Sequence, residues 1–164
     1  GDITAAQLAG EKGRPVLTWD MLAAASDGLA CLSGCREGEL ARLLRAGFHE
    51  RARNAVGRYR DIFGGDRFFV ELPHSLYPDD AACIEALVAL AREGEVGYVA
   101  TNNVHYARKE AHRLHDVLTC IRERSTLDDC TKLKLNAEFY LKSHDEMLAL
   151  FRDYPEAVYA TAGL

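Results

Sequence analysis

The sequence has 164 residues, of which 48% are hydrophobic and 27% are charged, and its formal net charge is −5. This composition is typical of one globular domain, and the negative charge excludes a surface that attracts nucleic acid as a whole, so any DNA contact must be local. No apolar run approaches the ~18 residues of a membrane span, which predicts no contact with a membrane. Five cysteines without a Cys-x-x-Cys pair favour reduced thiols and therefore the cytoplasm.

The first two thirds of the chain alternate helix and strand patterns. A short helix is predicted at residues 4–9, and Thr18 is placed to cap a second helix over residues 19–25. Apolar positions recur at helical spacing over residues 48–63. The remaining predicted elements are strands at residues 29–33, 68–72 and 96–100, a helix at residues 38–46, and a helix that Asp79 or Asp80 caps and Gly94 ends.

The order β-α-α-β-α-β predicts an α/β fold with parallel strands, because each helix must cover a face of the sheet. A closed barrel needs about eight strands, so three strands predict roughly half of a (βα) barrel. After Tyr106 the pattern becomes helical. Ser143 and Glu146 there match a capping box, and Pro155 suits the first turn of the last helix.

Potential metal ligands follow the predicted strands. Cys35 follows the first, His74 the second, and Asn103 and His105 the third. The carboxyl ends of parallel strands meet at one edge of a sheet, so these side chains are expected on one rim. Thiolates and imidazoles bind zinc, whereas an amide is a poorer ligand. From the residues alone an inert thiol is favoured for Cys35, a loop histidine for His74, and a ligand or a loop histidine equally for His105.

The only basic patch of the sequence is the segment from Arg36 to Arg60, which contains seven arginines. On the predicted helix Arg51 and Arg58 share one edge and Arg53 and Arg60 share another, on either side of the apolar stripe. A solvated helix is the favoured interpretation, and a face that contacts the phosphates of nucleic acid is the alternative.

Several catalytic motifs are absent from the sequence. It has no Gly-x-Gly-x-x-Gly, Walker, Gly-x-Ser-x-Gly or His-Glu-x-x-His motif, and no Asp-x-Asp pair for two-metal nucleotidyl transfer. Polymerase chemistry is therefore not expected in these residues, and no catalytic residue is assigned.

Several stretches, taken in order, carry a family resemblance: residues 27–35, 68–72, 99–106, 115–118, 126–129 and 139–143, with Glu146-Met147 and Pro155-Glu156-Ala157. Their order and spacing resemble the PHP (polymerase and histidinol phosphatase) domain of bacterial C-family DNA polymerases, the DNA polymerase III alpha subunits and their error-prone, DnaE-type relatives. The resemblance covers nearly the whole chain. Asp2-Ile3-Thr4 and Leu17-Thr18-Trp19 favour the error-prone branch.

The resemblance implies a seven-stranded (βα) barrel with a cluster of metal ions, which supports 3′→5′ exonuclease proofreading in some members and is structural in others. Residues 1–106 would be the second half of that barrel, and residues 107–164 a helical connection toward the polymerase palm. Cys35 and His105 match ligand positions, and Asn103 stands where the family has a ligand Asp. The missing negative charge predicts weakened binding of zinc or manganese, or none, and an impaired exonuclease.

The sequence therefore predicts a fragment of an error-prone polymerase that serves replication or lesion bypass as part of a longer chain. The expected partners are DNA bound through the full-length polymerase, the rest of that chain and other replication proteins. Two alternatives stay open, a stand-alone metal-dependent phosphoesterase and a non-catalytic protein-docking module. Exposed sheet edges also predict self-association of the half barrel.

Overall fold

The computed structural model describes residues 16–164, so the helix predicted at residues 4–9 lies outside the described residues. The order of strands and helices predicted from the first strand to the third is confirmed. In chain order the elements are α1 (Trp19–Ala24), β1 (Cys31–Leu32), α2 (Glu39–Arg45), α3 (His49–Phe63), β2 (Phe68–Pro73), α4 (Asp80–Glu93), β3 (Gly97–Thr101), α5 (His112–Glu123), α6 (His144–Leu150) and α7 (Pro155–Tyr159).

Local chemistry explains where several helices begin and end. The Thr18 hydroxyl accepts a hydrogen bond from a backbone N–H in the first turn of α1, at 3.3 Å. Gly64 ends α3 with a φ of +85°, a conformation that strains any residue with a β-carbon. The capping box of Ser143 and Glu146 opens α6, and Pro155 is the first residue of α7, both as predicted.

The three strands form one parallel sheet in the order β1-β2-β3. Phe68 on the central strand lies opposite Cys31, and Phe69 lies opposite Gly97. A β-carbon at position 97 would lie 2.6 Å from the Phe69 ring, so any other residue there would displace that ring. The sheet does not close within residues 16–164, so the predicted α/β fold with a partial barrel is confirmed for this part of the chain.

The core lies between the sheet and helices α2, α3 and α4. Leu40, Val56 and Leu87 are buried in the same cluster as Phe68 and Val70 of the central strand. Each fully buried side chain of this size contributes roughly 1.5–3 kcal/mol to folding. Packing of these helices against the strands therefore holds the strand ends in place.

The C-terminal helices return to this core. Phe151, Ala157 and Val158 belong to the same buried cluster, and Tyr98 on β3 donates a hydrogen bond to Glu156 at 2.6 Å. The division at residue 106 into barrel and helical connection stays a prediction. In the described residues, no helix has both the length and the apolar character that crossing a membrane requires.

The carboxylates at the start of α4 do not cap the helix as the sequence predicted. Asp79 occupies the N-cap position without a capping hydrogen bond, and both of its oxygens instead accept from Arg36 at 2.6 Å. Asp80 accepts from Arg36 at 2.7 Å and from the backbone N–H groups of Ser75 and Tyr77 at 2.7 and 3.0 Å. The predicted N-cap position is therefore right, and only the capping hydrogen bond is missing, because Asp79 binds an arginine 43 positions earlier instead.

Tyr140 and Glu146 form a titratable pair at the start of α6. The Tyr140 hydroxyl donates a hydrogen bond to Glu146 Oε1 at 2.7 Å, and this bond raises the pKa of Tyr140 to about 12. The same bond, together with hydrogen bonds from Ser143, lowers the pKa of Glu146 to about 2. We expect Glu146→Gln to return the pKa of Tyr140 toward ~10, because the amide carries no charge. Titration of carbon-labelled tyrosines by NMR measures this shift.

The matched control is Glu156→Gln, which removes the carboxylate that accepts from Tyr98 and should leave Tyr140 unchanged. A pKa of Tyr140 near 12 in the Glu146→Gln protein would contradict the assignment. The folded pKa of Glu146 is depressed, so its stabilising contribution is present above the unfolded pKa of ~4.3 and is lost as the pH falls toward 2.

Candidate functional site at the strand ends

A cavity of about 380 Å³ lies at the carboxyl ends of the strands. The segments that follow β1, β2 and β3 each contribute to its wall, as expected for parallel strands. Its polar and aromatic lining comprises Cys35, Arg36, Glu37, Ser75, Tyr77, Asp79, Asn103, Lys134 and Phe139. The cavity therefore brings together two of the three predicted metal ligands, Cys35 and Asn103.

A tight turn after β1 places Cys35 in the cavity wall. Gly34 has a φ of +90°, and the N–H of Gly38 donates to the carbonyl oxygen of Cys35 at 2.7 Å. A β-carbon on Gly38 would lie 2.8 Å from that oxygen, so the turn requires glycine there. The Ser33 hydroxyl accepts from the N–H of Glu71 at 2.9 Å and ties the turn to β2.

Asn103 reaches the cavity through an unusual backbone conformation. Its φ is +41°, in the left-handed region that asparagine adopts more readily than most residues. The preceding Asn102 is buried and donates to the carbonyl oxygen of Tyr140 at 2.6 Å, which fixes the segment after β3. The position is therefore well suited to presenting a short polar side chain to the cavity.

His105 lies beside the cavity rather than in its wall. Its backbone N–H donates to Phe139 at 2.8 Å, and its ring centroid is 5.1 Å from that of His115. Burial lowers the pKa of His105, and the positive charge of Lys134 lowers it further. The neutral imidazole is therefore favoured, which is the form that binds metals.

His74, which the sequence placed on the same rim, turns to another part of the fold. It lines a different cavity together with Phe151, and the two ring centroids are 5.6 Å apart. Its Nδ1 lies 3.5 Å from the Asp80 carboxylate. His74 is thus separated from Cys35 and Asn103, in keeping with its favoured interpretation as a loop histidine.

Lys134 is a cavity residue that no sequence pattern singled out. It belongs to a segment without helical or strand periodicity, and its ammonium lies 4.5 Å from the centroid of the Phe139 ring. Burial lowers the pKa of Lys134, and Cys35 is near enough to oppose that shift. The positive charge of Lys134 in turn lowers the pKa of His105.

These residues do not fit a metal ion by themselves. Among residues 16–164, no three His, Cys, Asp or Glu side chains are placed to share one. A structural zinc site needs four donors. Beside the Cys35 thiol and the Asn103 amide the cavity has two carboxylates, but these already bind arginines, and a lysine ammonium lines the same wall. A metal bound here would need ligands from beyond this set.

The arginines of α3 predicted to contact nucleic acid lie mostly in ion pairs. These pairs are Arg53–Glu50, Arg53–Glu93, Arg58–Glu39 and Arg60–Glu95, with N···O distances of 2.7–3.1 Å. Arg51 instead lies over the Phe48 ring, 5.4 Å from its centroid. Since a paired guanidinium has less charge available for a phosphate, DNA contact by these residues stays a prediction.

Comparison with known proteins identifies related sequences. The chain matches the family described as PHP domain over residues 1–75. It is 36% identical to the DNA polymerase III subunit alpha of Treponema pallidum over 149 residues, 90% of this chain. It is 37% identical to the corresponding subunit of Borreliella burgdorferi over 146 residues, 88% of this chain. It is also 36% identical over 152 residues, 92% of this chain, to the error-prone DNA polymerase of Symbiobacterium thermophilum. The chain spans 13–14% of the length of these relatives.

Proposed function

We propose that the chain, which is similar to the PHP-domain family and to bacterial DNA polymerase III alpha subunits, is a scaffold part of a C-family DNA polymerase whose strand-end site is degenerate. In this proposal the site binds zinc or manganese weakly or not at all and does not degrade DNA. DNA synthesis, contact with DNA and contact with replication proteins would belong to a longer polymerase, since the chain spans 13% of the length of its T. pallidum relative.

The single observation that carries the proposal is the charge of the strand-end cavity. Asn103 supplies no negative charge, and the ammonium of Lys134 lines the same cavity as the Cys35 side chain. The two carboxylates of the lining, Glu37 and Asp79, already pair with Arg45 and Arg36. A divalent cation needs deprotonated or anionic donors, and a neighbouring ammonium repels it. A metal-bound hydroxide able to attack a phosphodiester is therefore disfavoured at this position.

We also propose that the polymerase belongs to the error-prone branch and that the chain is located in the cytoplasm. Asp2-Ile3-Thr4 and Leu17-Thr18-Trp19 support the branch, whereas the identities to the T. pallidum alpha subunit and to the error-prone polymerase of S. thermophilum are equal at 36%. The five free cysteines suit a reducing compartment.

A nuclease assay tests the proposed lack of catalysis. A 5′-labelled single-stranded oligonucleotide is incubated with the chain in zinc or in manganese, and the Cys35→Ala, His105→Ala double variant serves as the control. We expect no shortening of the DNA beyond that seen with the variant. Shortening from the 3′ end by the unaltered chain, absent in the double variant, would support the metal-dependent phosphoesterase instead.

The salt dependence of DNA binding tests the arginines of α3. If Arg51 and Arg58 bind phosphates, replacing both with alanine should reduce the slope of log K against log salt by about 0.7 for each phosphate of single-stranded DNA that is no longer neutralised. Fluorescence anisotropy at several salt concentrations gives this slope. An unchanged slope would leave α3 as a solvated, ion-paired helix.

A further inference from the structure

Helix α5 exposes its apolar face and packs its polar face against the protein, which is the reverse of an ordinary amphipathic helix. Its apolar residues Leu114, Val117, Leu118 and Ile121 lie at positions i, i+3, i+4 and i+7, which places them on one face, and they are 62%, 42%, 56% and 67% exposed. We call these four residues the α5 stripe. An amphipathic helix normally buries such a face, so the exposed α5 stripe is a candidate interaction surface.

The polar residues of α5 face the protein. Asp116 and His112 lie on the inward side, with the His112 Nε2 atom 3.5 Å from the Asp116 carboxylate, and Thr119 is buried. The rings of His112 and His115 lie 6.1 and 5.6 Å from the Tyr106 ring. The inward side of α5 is therefore polar, and three of its buried atoms, His112 Nε2, His115 Nδ1 and Asp116 Oδ1, have no hydrogen-bond partner among the described residues.

Arginines border the α5 stripe. At about 100° per residue, Arg113 and Arg122 fall on opposite sides of it, and Arg124 is the C-cap residue. The Arg122 side chain is 70% exposed and pairs with Glu123 at 3.1 Å, but Lys132 binds the same carboxylate at 2.6 Å, so two positive charges face one negative charge at this edge. The surface is therefore apolar along its centre and positive at both edges.

We propose that the α5 stripe is a docking site for a helical segment that carries an apolar stripe bordered by carboxylates, supplied by another part of the polymerase chain. The spacing of the four apolar residues suits ridge-to-groove contact with a second helix. The arginines pair with the carboxylates at the borders and set the orientation of the segment. This step rests on the proposed function: in a polymerase as long as the T. pallidum relative, of which this chain spans 13%, the rest of the polymerase would present such a segment at high effective concentration.

Other occupants fit this surface less well. A second copy would place the arginines of two α5 helices against each other, and like charges across an interface oppose association. An anionic membrane would accept the charges, but the stripe extends over only two turns of a 12-residue helix whose opposite face is packed against Tyr106. The charge pattern and the length of the relatives favour a polypeptide.

A peptide-binding experiment with the 164-residue chain tests the proposal. The probe is a designed helical peptide with leucines at i, i+3, i+4 and i+7 and glutamates on both borders, and the matched peptide has lysines in place of the glutamates. The chain is compared with its Leu118→Glu, Ile121→Glu variant and with Leu29→Glu, which alters a leucine of similar exposure, 52%, outside α5. Circular dichroism establishes that the variants retain their helical content.

We expect the chain to bind the glutamate peptide saturably and the lysine peptide at least tenfold more weakly. The Leu118→Glu, Ile121→Glu variant should bind the glutamate peptide at least tenfold more weakly than the unaltered chain, whereas Leu29→Glu should bind it as tightly. Absence of saturable binding, or equal binding of the two peptides, would overturn the proposal. Binding to phosphatidylglycerol vesicles in place of the peptide, or self-association that the α5 variant abolishes, would also overturn the proposal. None of these results depends on whether the strand-end cavity binds metal, so the docking proposal and the proposed function fail separately.

Discussion

Replacing Asp80 with alanine is expected to lower the free energy of unfolding by about 2–4 kcal/mol, because two backbone N–H groups lose their acceptor at roughly 1–3 kcal/mol each. Asp80 is 3% exposed, and its carboxylate accepts one hydrogen bond from Arg36 and one each from the backbone N–H groups of Ser75 and Tyr77. The variant leaves the two backbone N–H groups without this acceptor, whereas Arg36 keeps its bonds to Asp79. Urea unfolding followed by circular dichroism measures the loss.

Asp79→Ala is the matched control, because Asp79 binds the same arginine at 2.6 Å but its side chain is 48% exposed. Exposed ion pairs contribute about 0–1 kcal/mol, so we expect this variant to remain within about 1 kcal/mol of the unaltered chain. Equal losses for the two variants would show that burial of Asp80 does not set its contribution.

The same network predicts a loss of stability in acid. Burial alone would raise the pKa of Asp80, but the nearby His74 ring, hydrogen bonds from the backbone of Ser75 and Tyr77 and the charge of Arg36 lower it overall. A depressed folded pKa means that the contribution is present above the unfolded pKa of ~3.9 and is lost as the pH falls through the folded value. Asp80→Ala should remove this part of the acid dependence.

Replacing Lys134 with methionine is expected to raise the zinc affinity of the cavity about 30-fold. Two unit charges 4 Å apart in water interact by about 1 kcal/mol, so the repulsion between a divalent ion and the ammonium at that separation is about 2 kcal/mol. Adding Asn103→Asp should increase the affinity further, because a carboxylate is a better zinc ligand than an amide. Competition with a chromophoric chelator measures the dissociation constants.

Lys132→Met is the control for net charge, since Lys132 is 64% exposed and binds Glu123 at 2.6 Å rather than lining the cavity. Its effect on zinc affinity should be small at physiological salt. An equal increase from Lys132→Met and Lys134→Met would assign the effect to overall charge and contradict the role of Lys134.

The order of strands and helices could be predicted because it depends on local patterns. The apolar spacing of α3, the glycine that ends it and the Ser143–Glu146 capping box all act within a few residues, and each is present in the structure. The first strand is shorter than predicted, two residues rather than five, because only Cys31 and Leu32 pair with β2. Its extent depends on a partner strand and not on its own sequence.

The candidate site was less predictable because long-range contacts determine it. Parallel topology correctly placed Cys35 and Asn103 in one cavity, whereas His74 faces a different one. Lys134 enters the cavity from a segment with no periodic pattern, about 100 positions after Cys35 and without a motif that could have selected it. The outward α5 stripe reverses the usual direction of an amphipathic helix, so its sequence would have predicted a buried face.

The metal content of the purified chain after dialysis tests the central claim most directly. Elemental analysis for zinc and manganese is compared between the unaltered chain and its Cys35→Ala, His105→Ala variant. A degenerate site predicts far less than one metal ion per chain in both proteins. One tightly held ion per chain, absent from the double variant, would mean that the strand-end residues form a working metal site and would contradict the account.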